Sequence, residues 1–289
     1  MNNYQILQGD VVEQLKNIPD DSISLIVTDP PYNLAMDDWD TWPSNKAFSE
    51  WCITWGVQLH RVLKPGGHIF SFGCGRTYHW MAVAMEQSGF VSRDMIEWVY
   101  WGTMPKSKNL KSCHEPIYVG CKGKPLPFNI ETHRVPLDKS VRNDLERILL
   151  PGMPTGIHPG RKAYGGDGDA KKFGKALDDT PYQMNENGRH PFNVVTTTMV
   201  EAFYPTNILD IKKPRGQESI KGHQTQKPIS LMRWLIDLAS QPNDLILDCF
   251  GGTGTTGVAS LESGRKIILI EQEQSYVDIM QERLGNILK

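Results

Sequence analysis

Residues 245–271 read LILDCFGGTGTTGVASLESGRKIILIE. Leu245–Asp248 is a short apolar run ending in an acid, as a buried parallel strand would be, and a glycine-rich turn follows it. Thr255–Glu262 has helical character, Lys266–Ile270 is a second β-branched strand, and Glu271 closes it. A strand, glycine turn, helix and strand in this order bring a helix N-terminus to a nucleotide-like ligand and set an acid where it can reach ribose hydroxyls. Gly252, Gly254 and Gly257 satisfy G-x-G-x-x-G, the spacing of dinucleotide-binding oxidoreductases. Only 18 residues follow Glu271, too few for the second half of such a sheet. The missing strands must come from the N-terminal part of the chain, so the sheet is circularly rearranged.

The N-terminal part supplies them. Tyr4–Leu7, Ile23–Val27, His68–Phe72, Ile96–Trp101 and Pro116–Val119 read as strands, and Phe48–Leu63 and Tyr78–Ser88 as helices. RVLKPGGH, 61–68, reads as a helix end and a tight glycine turn. From about 123 to 222 the alternation fades among Pro and Gly, then resumes with a helix at Ile229–Ser240 and ends with another at Ser275–Leu284. The expected architecture is a split α/β domain carrying an inserted module. One strand end is unusual: after SISLIV comes VTDPPYNLAMDDWDTW, 27–42, where two prolines forbid a continued central strand. The sheet must stop there and display Asp29, Pro30, Pro31 and Tyr32 at its edge, with the polar and aromatic loop Asn33–Trp42 as a lid.

At 289 residues and 39% hydrophobic content the chain can bury a substantial core. It has neither a run of about 20 apolar residues nor a signal-peptide pattern, so the cytoplasm is the expected location and no membrane partner is implied. The five cysteines show no CxxC pairing, so reduced thiols and no metal site are expected. The net charge of −2 hides an asymmetry. Residues 105–175 hold 14 Lys or Arg against 7 Asp or Glu, a balance of +7, which leaves −9 for the rest. Basic residues interleaved with Gly and aromatics, as in GRKAYGGDGDAKKFGKA (160–176), suit a phosphate-contacting surface.

Taken together, TDPPYNL and DCFGGTGTTGVA resemble the catalytic and cofactor motifs of the S-adenosylmethionine-dependent amino-methyltransferases that act on DNA bases. Their order along the chain is that of the β group of these enzymes. LQGD (7–10), VLKPGG (62–67), HEPIYVGCKG (114–123), GHQTQKPISLM (222–232) and IEQEQSYVDIMQERL (270–284) extend the resemblance to about two thirds of the chain. The family's D-P-F-x-G-S-G is here altered by Cys249 and Thr253, which remove no group the ligand needs.

The resemblance implies a Rossmann-like, doubly wound, circularly permuted sheet of about seven strands. Residues 1–122 would form its catalytic half, 123–221 a target-recognition region and 222–289 the S-adenosylmethionine-binding half. It implies an enzyme that methylates adenine N6 of a flipped-out base in double-stranded DNA, since motifs beginning with Asp belong mostly to adenine enzymes. Asp29 and the Pro30 carbonyl would accept the amine hydrogens, Pro31 would stiffen the turn, and Tyr32 would stack on the base. Asp248, Phe250, Gly251, Gly252, Gly254 and Thr255 would line the methionine end of the cofactor, together with Asp29. Glu271 would hold the ribose, and Asp10 the adenine amine unless it is only a helix cap. Lys227 is placed near the methionine carboxylate, or else is a surface lysine before Pro228. A homodimer and a cognate restriction endonuclease are partners the resemblance allows. The rival readings are a cytosine-N4 enzyme, an RNA or protein amide methyltransferase, a nucleotide-binding oxidoreductase and a non-catalytic DNA-binding module.

Overall fold

The structure, a computed structural model, describes residues 3–100, 113–133, 208–214, 220 and 226–287. Apart from His133 they belong to one compact unit built from two chain segments, Met1–Thr132 and Asn207–Lys289. Most of the expected target-recognition region, 123–221, and the basic residues Lys171, Lys172 and Lys175 lie outside the described residues.

The first segment runs β1 (Tyr4–Gln8), α1 (Val11–Leu15), β2 (Ile23–Thr28), α2 (Asn45–Val62), β3 (Leu63–Phe72), α3 (Tyr78–Gln87), β4 (Val91–Val99) and β5 (His114–Cys121). The second runs β6 (Ile208–Asp210), α4 (Ile229–Ala239), β7 (Leu245–Asp248), α5 (Thr255–Glu262), β8 (Lys266–Glu271) and α6 (Gln274–Ile287). The strands form one sheet in the order β1-β8-β7-β2-β3-β5-β4-β6. From β1 to β3 every pairing is parallel, whereas β5 runs antiparallel to both β3 and β4.

The sheet has eight strands among the described residues, against the expected number of about seven. The eighth, β6, is three residues long and pairs with β4 at the edge, too short for a period-2 signal to be read. A second difference concerns RVLKPGGH, where β3 begins at Leu63 and continues through the glycines. Gly66 donates its N–H to Lys122 O at 2.7 Å and Gly67 O accepts from Lys122 N at 3.1 Å, so the expected turn is a strand.

Alternation along the strands sends side chains into two cores. Leu25, Val27, Ile246, Ile267 and Leu269 pack under Leu231 and Leu235 of α4, Val258 of α5 and Leu284 of α6. Ile26, Leu247, Ile268 and Ile270 face the other way, against Leu15 of α1, Trp55 and Leu59 of α2, and Met81 and Met85 of α3. Each such burial contributes roughly 1.5–3 kcal/mol, which lets helices as short as α1 persist. The second segment meets the first where β7 pairs with β2, with Leu25 opposite Ile246 and Ile26 opposite Leu247. That register brings the carboxyl ends of the two strands level, and Thr28 Oγ1 donates to Asp248 Oδ1 at 3.0 Å. The catalytic-type and glycine-type motifs, some 220 residues apart in sequence, thus open side by side.

Candidate active site

Asp29 is the first residue beyond β2, and the loop after it is organised by an acid further along. Asp40, buried at 1% exposure, accepts the backbone N–H of Tyr32 (2.7 Å) and Asn33 (2.7 Å) on Oδ1, and of Leu34 (2.9 Å) and Met36 (3.4 Å) on Oδ2. A buried carboxylate that gathers four amides replaces the hydrogen bonds the interrupted strand has lost. On the other side Thr77, which precedes α3, donates its hydroxyl to Tyr32 O at 2.7 Å. The Asn33–Trp42 loop, expected as a lid, is pinned over its first half. The Tyr32 hydroxyl donates to Asp29 Oδ1. Burial, and then the charge of Asp29, push the phenol well above its usual range.

Across from Asp29 the turn after β7 is shaped by close approach. Gly254 stands at the start of α5 with φ +80°, and a Cβ there would lie 2.7 Å from Met280 Cγ. Gly251 donates to Ile270 O at 2.8 Å, and Gly252, at φ +51°, donates to Glu271 Oε2 at 2.7 Å. The other oxygen of Glu271 accepts from Gln272 N and Glu273 N, each at 2.9 Å. Burial raises the Glu271 carboxyl above its ordinary value, and these three amides work against that rise.

Between the two motifs lies a cavity of about 650 Å³ at the carboxyl ends of β1, β2, β7 and β8, the position where open α/β sheets take ligands. Among the described residues Asp10, Asp29, Asp37, Asp38, Asp40, Glu271 and Glu273 line it, and no Lys, Arg or His does. One wall is aromatic: the Trp42 and Trp51 rings lie 4.5 Å apart, and Trp51 lies 5.7 Å from Phe250. A pyrophosphate would meet seven acids and no cationic side chain among the described lining residues, whereas a ligand bearing sulfonium and ammonium charges finds complementary ones. The lining thus fits S-adenosylmethionine and disfavours the nicotinamide dinucleotide that G-x-G-x-x-G alone would admit.

Asp29, Pro30, Pro31, Tyr32, Asp10, Phe250, Gly252 and Glu271 all line this cavity, while Asp248, Gly251, Gly254, Thr255 and Lys227 do not. Asp248 is 3% exposed and accepts from Thr28 Oγ1 (3.0 Å), Phe250 N (3.1 Å) and Thr256 Oγ1 (2.7 Å), so it ties β2, β7 and α5 together. Burial pushes its carboxyl up to about 6. Gly251 is buried against Met280 of α6 and Ile270 of β8, Gly254 against Met280, and Thr255 is also buried. Asp10 is both things at once: it lines the cavity and caps α1, accepting from Val12 N at 2.9 Å and Glu13 N at 3.1 Å. Lys227 is no surface lysine; it is 4% exposed, with Nζ 2.5 Å from Asp29 Oδ2. Asp40, Trp42, Trp51 and Tyr276 are lining residues that the motifs did not single out.

A split, mostly parallel sheet with a proline-bounded acid facing a glycine turn across an acidic cavity is the arrangement expected of a methyltransferase of DNA bases. Residues 23–282 match the N6/N4 DNA methylase family, and the chain belongs to it. The Type II methyltransferase M.HinfI of Haemophilus influenzae is 26% identical over 303 aligned residues, covering 98% of this chain and 68% of that protein. The crystal structure of the M1.HpyAVI–SAM complex superposes with a TM-score of 0.58 at 24% identity, over 98% of this chain and 99% of that one. The cytosine-N4-specific PvuII DNA methyltransferase gives a TM-score of 0.62 at 18% identity, over 99% and 92%. No helix among the described residues is long and apolar enough to cross a membrane.

Proposed function

We propose that this chain methylates N6 of adenine in duplex DNA, with S-adenosylmethionine as donor and Asp29 as the group that acts on the target amine. The observation that carries the reading is the position of Asp29, at a strand end, on the wall of an acidic cavity and directly before Pro-Pro-Tyr. An exocyclic amine is a poor nucleophile because its lone pair is delocalised into the ring. To accept a methyl group its nitrogen must pyramidalise and develop positive charge. A fixed carboxylate on one N–H and the Pro30 carbonyl on the other favour both changes.

When bound, S-adenosylmethionine supplies an electrophilic methyl group; Glu271, Asp10 and the aromatic wall of Trp51 and Phe250 would hold it. The Tyr32 hydroxyl donates to Asp29 Oδ1 and Lys227 holds Oδ2, so the amine must share or take over an acceptor. Tyr32 would then stack on the flipped-out base, a contact worth roughly 1–3 kcal/mol. The stretch 123–221 would supply sequence recognition, and its basic residues phosphate contacts, in an enzyme of the cytoplasm that works alone or as a homodimer, with or without a partner endonuclease.

A second reading, methylation of cytosine N4, has in its favour the fold shared with the PvuII enzyme. Asp29 would serve either amine alike. Methylation-sensitive long-read sequencing of DNA from a host expressing the chain separates the two. N6-methyladenine in one sequence context is the expected result, N4-methylcytosine supports the second reading, and unmarked DNA overturns both.

A further inference from the structure

Asp29 does not stand alone in the described structure. Lys227 Nζ lies 2.5 Å from its Oδ2 and 3.3 Å from Glu115 Oε2, and the three side chains are 20%, 4% and 15% exposed for Asp29, Lys227 and Glu115. Glu115 opens β5, and its other oxygen accepts from the Tyr100 hydroxyl at 3.3 Å. The Lys227 ammonium also sits 5.5 Å from the Tyr32 ring centre and 5.2 Å from that of Phe72. Burial by itself would lower its pKa, but the two carboxylates prevail and raise it to about 12.

A buried ion pair is seldom retained for stability, because desolvation takes back most of what the charges gain. We infer that Lys227 and Glu115 are positioning residues for methyl transfer, fixing the rotation and the charge of the carboxylate that receives the target amine. This rests on the reading of Asp29 given above. The terminal torsion of an Asp side chain is broad. Lys227, which is not a lining residue of the cavity, pins Oδ2, which leaves Oδ1, the oxygen that accepts from the Tyr32 hydroxyl, for the amine. Glu115 has two effects. It anchors Lys227, and it keeps the triad at one net negative charge, where Asp29 and Lys227 alone would cancel and offer the developing cation little attraction. The ammonium is held by these two acids, and Lys227 is not among the residues that line the cavity.

The test uses the full-length protein, S-adenosylmethionine, and a duplex bearing the sequence methylated in the expressing host, with single-turnover rates followed against pH. The groups that face the cluster are Tyr32 in the Asp29 loop, Asp248 on β7, Tyr100 after β4 and Lys213 after β6. Lys227→Met should slow methyl transfer about 100-fold while cofactor affinity stays within about threefold. Its acid limb should move to higher pH, because a carboxyl deprived of an ammonium neighbour takes up its proton more readily. Lys227→Arg should recover at least about a tenth of the rate by restoring the charge. Glu115→Gln, nearly isosteric, should move the limb the opposite way, and it decides the matter if Lys227→Met does not fold. Limbs that stay put, or a Lys227→Met loss confined to cofactor affinity, overturn the inference. A wild-type protein that methylates nothing overturns the parent reading itself, and does so before any variant is compared.

Discussion

Asp40 Oδ1 accepts the backbone N–H of Tyr32 at 2.7 Å, so the shape of the Asp29–Tyr32 turn depends on a side chain eight residues downstream. Hydrogen bonds to a charged acceptor are worth roughly 1.5–3 kcal/mol each and are not additive within one network. Asp40→Ala should therefore destabilise the fold by about 2–4 kcal/mol in urea unfolding. It should lower the methyl-transfer rate by more than it lowers cofactor affinity. Asp40→Asn, which keeps one acceptor oxygen, should fall between. Wild-type turnover in Asp40→Ala would show that the loop holds its shape by other means.

The glycine motif gives a prediction about strain. Gly254→Ala places a Cβ at φ +80° and 2.7 Å from Met280 Cγ. Left-handed backbone costs a non-glycine residue about 1–2 kcal/mol, and the clash adds to it. Thermal unfolding of Gly254→Ala should come earlier. Met280 is itself fully buried, so the clash is isolated by a double-mutant cycle: Gly254→Ala should cost less in a Met280→Ala background, where only the backbone strain remains. An equal cost of Gly254→Ala in the two backgrounds would mean that the contact with α6 carries no weight.

Asp248 ties pH to stability. The folded carboxyl keeps its proton up to about 6 and the unfolded one releases it near 3.8, so the native state binds more protons in between. The sign follows: the stability contributed by this group is present below pH 4 and is lost as pH rises through about 6. Asp248→Asn removes that dependence while its amide oxygen can still accept from Thr28 and Phe250. Relative to wild type the variant should gain up to about 3 kcal/mol between pH 4 and 7, read from urea midpoints. A difference that is constant with pH would contradict it.

The charge of the cavity decides the ligand. Calorimetry should show binding of S-adenosylmethionine and of its demethylated product, and no heat with NAD. Tight binding of NAD would return the oxidoreductase reading, because a pyrophosphate would then have found a donor set that seven lining acids do not offer.

Most of the frame is legible in the sequence because it rests on short-range signals. Strand β7 and helix α5 are read to the residue from an apolar run, a glycine turn and a helical stretch. The cavity-facing part of the motifs, Asp29 to Tyr32 with Phe250, Gly252 and Glu271, is equally local. What sequence does not disclose is the direction of a side chain across the fold. Lys227 before Pro228 looks like any exposed lysine, and only the packing of α4 on β2 and β3 buries it beside Asp29. Asp248 has the same form whether it faces a ligand or, as here, two threonine hydroxyls. Asp40 carried a readable clue, since a loop with two prolines needs an acceptor for its orphan amides. Trp42 just before α2 and Trp51 in its second turn pack on each other and on Phe48, a cluster whose orientation toward the cavity the sequence does not disclose.

Methyl transfer itself is tested most directly by mass spectrometry of nucleosides. Purified wild-type protein and Asp29→Ala are each incubated with S-adenosylmethionine and mixed-sequence duplex DNA, and the DNA is digested. Wild type should yield N6-methyl-2′-deoxyadenosine as the main methylated product, with Asp29→Ala slower by about two to three orders of magnitude. N4-methylcytosine as the main product would contradict the choice of base, and equal yields from the two proteins would contradict the role of Asp29.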